Sequence, residues 1–361
     1  MSESLLYKPT KVFPPGYTLR EVLEDNNITQ TELAKRMGRP LKTINEIIMG
    51  RAELTPETSL QLETVLDIPA YFWNNLESAY REAMARERER DFVLENEVYL
   101  KFIPIKEMIQ KKWIRKFPTT YDQIKEVLNF FRFTKLSELF NYWETKLVMY
   151  KQSKAYDEKT GALYSWLRRG EFKALEIECN KHNASNFKNC LSEVRKLSLI
   201  HQPSDFIPQM QKLSAANGVA VVFLPELKGC RASGATYWLN KDKAMMLLSA
   251  RYLSNDHVWF SFFHEAAHIL LHSKKQFFVE GLSKDQTSVF EIEADEFAAN
   301  TLINKNDYSE FIKQPITRSS IIDFSRRNEI APGILVGRLQ HDRVIEYYEY
   351  RDLKVSYKWT N

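Results

Sequence analysis

From Thr18 to Leu66 the apolar positions recur at helical spacing and are interrupted at short intervals by turn-forming residues. Leu19, Val22 and Leu23 make one stripe. Thr29 stands as an N-cap with Glu32 three residues on, a capping box opening a second helix through Leu33, Ala34 and Met37 that Gly38 ends. After Arg39-Pro40 a third helix turns Ile44, Ile47 and Ile48 inward, and Gly50 closes it. Thr55-Pro56-Glu57 starts a fourth, with threonine as cap and proline in the first turn.

From about Phe72 to His201 the pattern stays helical with few strand signals. Trp113, Phe130, Phe131, Trp143 and Trp166 fall at helical spacing and read as core, and the alternating run Arg86-Glu87-Arg88-Glu89-Arg90-Asp91 reads as a solvated helix face. The texture changes at Gly218: GVAVVFLPE, ATYWLN and KAMMLLS are three short strand candidates with turn residues between them. VWFSFFHEAAHILLH follows, without Gly or Pro and dense in apolar residues, as a buried helix, and a second helix runs from about Ser288 to Ile303. The fold class expected is α+β and mostly helical: a four- to five-helix N-terminal domain over residues 14–80, a helical connector over 81–204, and a domain with a small sheet over 205–355.

Composition supports this organisation. The chain has 361 residues, 44% apolar and 13% aromatic, enough for two or three folded cores. MSESLLYKPTKVFPPGY has no basic stretch followed by an apolar one, and nothing downstream approaches the roughly 18 uninterrupted apolar residues of a membrane span, so a cytoplasmic location is expected. Cys179, Cys190 and Cys230 lack CxxC spacing and imply neither a disulfide framework nor a cysteine metal site. The net charge of +4, from 51 basic and 47 acidic residues, is routine, but its distribution is not. Lys35, Arg36, Arg39, Lys42 and Arg51 face only Glu46 across residues 35–51, and any nucleic-acid footprint belongs there.

The sharpest chemistry is His264-Glu265-Ala266-Ala267-His268. Histidines at i and i+4 share one helix face about a turn apart and can hold one zinc ion, leaving room for a third protein ligand and water. Glu265 is placed to act as general base toward that water and then to protonate the leaving amine. Burying these groups among Phe260, Phe262, Phe263, Ile269, Leu270 and Leu271 requires a partner for them, and a metal is the economical one. The third ligand should come from Glu291-Ile292-Glu293-Ala294-Asp295-Glu296. Glu293 is the choice and Glu291 the rival, since two residues separate them by some 200° around a helix. Asp295 could accept the N–H of a ligating histidine. His272 reads as a local hydrogen-bonding residue, because a third ligand from one straight helix would lie about 12 Å from the first; His257 is either a loop residue or an aid to substrate binding.

Two resemblances rest on these runs. TQTELAKRMGRPLKTINEIIMG with TPETSLQLETVLDIPAYFWNNLESAYREA resembles the Cro/C1-type (XRE) helix-turn-helix of HigA-type antitoxins. ASGATYWLNKDKAMMLLSARYLSNDHVWFSFFHEAAHILLH, with EIEADEFAANTLI and IAPGILVGRLQHDRVI, resembles the ImmA/IrrE metallo-endopeptidases. The matches cover about residues 14–80 and 205–350. The second implies a zincin-like domain with His264, His268 and Glu293 on zinc, Glu265 catalytic, and proteolysis of a transcriptional repressor; Asp295 stands where such proteins often carry Asn. The first implies that the third helix enters the major groove of operator DNA, with Arg39, Lys42, Thr43, Asn45 and Glu46 toward bases or phosphates and Gln30 and Arg51 on the backbone, in a homodimer on two half-sites. The expected function is a DNA-binding regulator whose zinc endopeptidase cleaves a repressor or toxin–antitoxin partner. The rival expectations are a non-proteolytic HigA-type antitoxin and autorepressor with a sensing metal domain, and a peptidase whose helix-turn-helix contacts protein.

Overall fold

The computed structural model describes residues 13–146, 158–249, 254–280 and 289–357. Residues 1–12, the stretch read as lacking a leader pattern, and Ser288, the expected start of the second C-terminal helix, lie outside them. The chain divides into two compact units, Met1–Glu95 and Asn96–Asn361.

The first unit holds α1 (Pro15–Asp25), α2 (Gln30–Met37), α3 (Leu41–Ile48), α4 (Pro56–Leu66) and α5 (Ala70–Leu94). The expected punctuation is present: Gly38 ends α2 in the left-handed conformation, and the Thr55 hydroxyl accepts the Thr58 N–H with Pro56 in the first turn. The capping box at Thr29 is only half made. Thr29 accepts from the Glu32 N–H at 3.1 Å, but the Glu32 carboxylate turns forward to Arg36 at 2.9 Å, where a charged partner one turn on replaces the N-cap amide. Leu19, Leu23, Leu33, Met37, Ile44, Ile47, Ile48, Leu62 and Trp73 close one core. Gly16 lets α1 lie directly on the end of α3: a Cβ there would stand 2.1 Å from the Ile47 carbonyl oxygen.

The second unit begins with α6 (Glu97–Leu100), α7 (Ile105–Gln110), α8 (Thr120–Phe131), α9 (Leu136–Lys146), α10 (Glu158–Glu176), α11 (Ala184–Lys196) and α12 (Pro203–Ala215). Then come β1 (Val219–Phe223), β2 (Gly234–Asn240), β3 (Lys243–Leu248), α13 (Asn255–Leu271), β4 (Phe278–Glu280), α14 (Val289–Leu302), α15 (Lys305–Phe311), α16 (Arg318–Arg327) and α17 (Pro332–His341). The sheet order is β1-β3-β2-β4, with β1 parallel to β3 and the other pairs antiparallel. The three expected strands are all there; β4, only three residues long, was not expected. The fold is the mostly helical α+β class read from the sequence.

VAVVF and AMMLL are apolar without alternation because both faces of this sheet are covered. Val219, Val221, Ala244, Met246 and Leu248 pack with Trp259, Phe262 and Phe263 of α13. On the other face, Gly170 of α10 approaches Leu247 so closely that a Cβ would lie 2.5 Å from its Cδ2, and Trp166 Nε1 donates to the Leu224 carbonyl at 2.9 Å. Helix α10, from the stretch expected as a connector, therefore shares one compact unit with the sheet and covers it.

The start of α13 is held from far along the chain. Asn255 N–H donates to the Val355 carbonyl at 2.8 Å, the Val355 N–H returns to Asn255 Oδ1 at 3.2 Å, and Trp259 Nε1 donates to the Tyr357 hydroxyl at 3.2 Å. The first of these contacts occupies a backbone N–H that a helix start otherwise leaves unpaired. No helix among the described residues is long and apolar enough to cross a membrane.

Candidate metal centre and DNA-facing helix

Helix α13 is buried along almost its whole length, and its polar trio goes down with it: His264 and His268 are each 2% exposed and Glu265 is 0%. The two imidazoles converge, with His264 Nε2 and His268 Nε2 3.0 Å apart. Glu291 of α14 reaches the same point, 3.2 Å from His264 Nε2 and 3.8 Å from His268 Nε2. Two lone-pair nitrogens and a carboxylate oxygen facing one spot are a donor set that suits a divalent cation, and His264, His268 and Glu291 are close enough together to hold one.

Glu293, the residue expected in that place, is not brought to it. Its Oε2 lies 3.1 Å from His272 Nε2, one histidine further along. Where α14 crosses α13, Glu291 falls over the gap between His264 and His268, and a residue 200° further round the helix meets a different ring. Asp295 sits where expected: its Oδ1 is 2.8 Å from His264 Nδ1. His272 ends α13 in extended conformation (φ −109°, ψ 167°), and its Nδ1 lies 2.9 Å from His268 Nδ1. His257 is half-exposed, with its Nδ1 2.7 Å from the Ser254 hydroxyl.

The electrostatics follow from this packing. Burial opposes charging of His264, but the Asp295 and Glu291 carboxylates outweigh it and hold the ring well above the usual histidine range. His268 is driven far below that range by burial and then by its two neighbouring histidines, so it is a neutral imidazole, the form that ligates metals. Glu265 is pushed up to about 8, chiefly by burial and further by Glu280 and Glu291, while His264 works the other way. Neither Glu265 oxygen has a hydrogen-bond partner among the described residues, and the nearby Thr236 hydroxyl favours the charged form without closing a bond. A fully buried carboxyl with both oxygens unpaired is an unusual expense unless a ligand meets it.

The sheet makes room for that carboxyl. Gly234 opens β2 opposite Glu280 of β4, and a Cβ on Gly234 would stand 2.1 Å from Glu265 Oε1. Phe278 of β4 stacks on His268, with centroids 4.0 Å apart and planes 15° from parallel. Gly234, Glu280 and Phe278 were not singled out in the sequence. Only the GAT run before a strand carried a signal, a glycine at a strand start implying close approach by another group.

In the first unit, α3 presents Leu41 and Lys42 to solvent, with Met49 exposed just past its end and Thr43, Asn45 and Glu46 half-buried. Lys42 and Glu46 pair loosely at 3.9 Å. Arg39 Nε donates to Gln61 Oε1, Gln30 is the half-buried first residue of α2, and Arg51 is exposed just past α3. The candidate contacts thus lie on and beside one short helix, interleaved with the buried Ile44, Ile47 and Ile48.

An antiparallel pair of helices carrying two histidines, a glutamate and an unpaired buried carboxyl, against a small mixed sheet, defines the zincin-like class of domain; the five-helix first unit defines a helix-turn-helix domain. Comparison with known proteins agrees. Residues 217–328 match the IrrE N-terminal-like domain of peptidase family M78, and residues 19–73 match the helix-turn-helix family. An uncharacterized helix-turn-helix-type transcriptional regulator of Escherichia coli, YddM, is 32% identical over 71 residues, 20% of this chain and 76% of that protein. Among solved structures, the Pseudomonas aeruginosa antitoxin HigA with its higBA promoter is similar over 22% of this chain and 86% of its own, at 29% identity and a TM-score of 0.21. A HigA-family addiction module antidote protein of Coxiella burnetii is similar over 24% of this chain and 95% of its own, at 25% identity and a TM-score of 0.22. The chain belongs, through its first domain, to the helix-turn-helix transcriptional regulators and carries a C-terminal domain of peptidase family M78.

Proposed function

We propose that the protein is a DNA-binding regulator whose C-terminal domain, read over residues 205–355, is a zinc-dependent endopeptidase acting on a regulatory protein, either a repressor or a toxin–antitoxin partner. The observation that carries the reading is the convergence of His264 Nε2, His268 Nε2 and Glu291 beside the unpaired, fully buried Glu265 carboxyl. His264, His268 and Glu291 hold the zinc, with Glu291 in the role expected of Glu293, and Asp295 fixes the His264 ring by accepting its Nδ1–H. Zinc supplies Lewis-acid polarisation of the scissile carbonyl and acidification of water.

Glu265 does the proton work. Fully buried beside the convergence of His264, His268 and Glu291, it is placed to take a proton from water and return it to the leaving amine. Phe278, stacked on His268, and Phe260, beside His264, help exclude bulk water and strengthen each charge inside. Strand β4 ends the sheet beside the metal helix, and an extended peptide adding to its outer edge would bring a carbonyl past Glu265.

The first domain, read over residues 14–80, places α3 in the major groove of an operator as one half of a homodimer. Arg39, Lys42, Thr43, Asn45 and Glu46 face bases or phosphates there, with Gln30 and Arg51 on the flanking backbone.

The test is metal content of the purified protein beside His264→Ala and Glu265→Gln, with each sample incubated with candidate repressor and toxin proteins. One zinc per chain, lost in His264→Ala and kept in Glu265→Gln, with cleavage abolished in both, is the expected result. Zinc without cleavage would replace the peptidase reading with a metal-dependent binding module, and no metal would remove the site assignment.

A further inference from the structure

The two histidines of the candidate centre are oriented by different devices. His264 Nδ1 meets Asp295 directly at 2.8 Å. Among the described residues, His268 Nδ1 meets no carboxylate; it lies 2.9 Å from His272 Nδ1, and His272 Nε2 lies 3.1 Å from Glu293 Oε2. We propose that His272 and Glu293 are positioning residues, a two-step relay that fixes the tautomer and ring plane of His268 as a metal ligand. The proposal rests on the metal reading above.

The direction of the relay follows from valence. A neutral imidazole that offers its Nε2 lone pair to a cation carries its proton on Nδ1. His268 must therefore donate toward His272, whose Nδ1 must accept. That leaves the His272 proton on Nε2, where only an acceptor can face it, and a carboxylate accepts only. Glu293 thus selects the His272 tautomer, and His272 selects that of His268. Without the terminal carboxylate, His272 could carry its proton on Nδ1, two N–H groups would confront each other, and His268 would be driven to the tautomer that points N–H at the cation.

The surroundings make the relay matter. Phe278 stacks on His268 and lies 5.1 Å from His272, and Phe290 meets the His272 ring edge-on with centroids 4.9 Å apart. The His272 side chain is 2% exposed, so water has little access to substitute for either partner, whereas Glu293 is 51% exposed and anchors the chain at the surface. The extended backbone of His272 lets its ring fold back on His268 instead of continuing the i, i+4 stripe. Glu291 and Glu293, two residues apart, accordingly serve two different rings of one site.

Zinc dissociation constants measured by competition with a chromophoric chelator test this on the full chain, for wild type, His272→Phe, Glu293→Ala, Glu293→Gln and the ligand control His264→Ala. His272→Phe is expected to weaken zinc roughly ten- to a hundredfold and Glu293→Ala about tenfold. Glu293→Gln recovers most of that loss, because the amide carbonyl accepts the same N–H. A purely packing role for Glu293 would not be rescued this way. In zinc-loaded protein labelled with ¹⁵N-histidine, wild type shows a protonated Nδ1 on His268 and a protonated Nε2 on His272, and Glu293→Ala shows mixed His272 tautomers. The half-exposed Glu293 pair carries the test if His272→Phe fails to fold. Zinc affinity in His272→Phe and Glu293→Ala within twofold of wild type, with His264→Ala still defective, overturns the relay alone. Wild type binding zinc no better than His264→Ala overturns the metal reading and the relay with it.

Discussion

Helices α3 and α13 both carry candidate functional residues, yet they treat polar groups in opposite ways. On α3, Lys42 is 84% exposed at its side chain and its partner Glu46 41%, and the apolar residues are the ones turned inward. On α13, His264, Glu265 and His268 are turned inward with the aromatics, and the Glu265 carboxyl is left unpaired. Solvent satisfies an exposed polar group whatever its function, so α3 reveals its role only through charge and family likeness. A buried, unpaired one costs free energy in the folded state and demands a reason. The contrast explains why the metal centre can be argued from geometry and the DNA contacts cannot.

The largest expected effect breaks the inward side. Gly234→Val puts carbon where Glu265 Oε1 lies, so hydrolysis should fall about a thousandfold, the scale of losing a general base, while zinc content stays at wild-type level. Kinetics beside metal analysis check it; loss of zinc as well would mean that the glycine serves the whole site and not the carboxyl.

The next effect is on stability. In metal-free protein Glu265 has a folded pKa of about 8 against an ordinary 4.5, so the folded state keeps a proton that the unfolded chain has released. Stability should therefore fall as pH rises from about 4.5 to about 8, by roughly 4 to 5 kcal/mol in order of magnitude. His264, with its raised pKa, acts in the same sense: its contribution is present at low pH and is lost as pH climbs through its folded value. Melting curves in chelator should show this slope, reduced in Glu265→Gln, and zinc should raise Tm more at pH 8 than at pH 6. A pH-independent difference would mean that Glu265 is solvated.

The smallest effect lies on α3. Lys42→Ala should weaken operator binding a few-fold, evenly across sequences, and lower the salt slope by about one, because an exposed cation held only loosely by Glu46 would meet phosphate. A sequence-selective loss would instead place Lys42 on a base.

Much of this was legible in the sequence, for reasons that differ by element. His264 and His268 were readable because a helical i, i+4 pair needs only local geometry to converge. That Glu291 and not Glu293 faces both His264 and His268 depends on the crossing of α14 over α13, a tertiary fact that periodicity does not encode. Strand β4 was invisible because Phe-Val-Glu is too short to show a period, and it exists by pairing with β2. The role of α10 in covering the sheet had a signal in the unalternating VAVVF and AMMLL runs, which require cover on both faces.

The clasp on the first turn of α13 also sets an order of events in synthesis. Asn255 is pinned by Val355, a hundred residues later, and Trp259 by Tyr357. The core of the first unit is complete once Trp73 has emerged. At ribosomal speeds of roughly 5 to 20 residues per second, the interval from Trp73 to Tyr357 is roughly 15 to 60 seconds. For that time a nascent chain can own a folded helix-turn-helix domain while α13 still waits for its anchor, so the first unit of each molecule can mature well before the second.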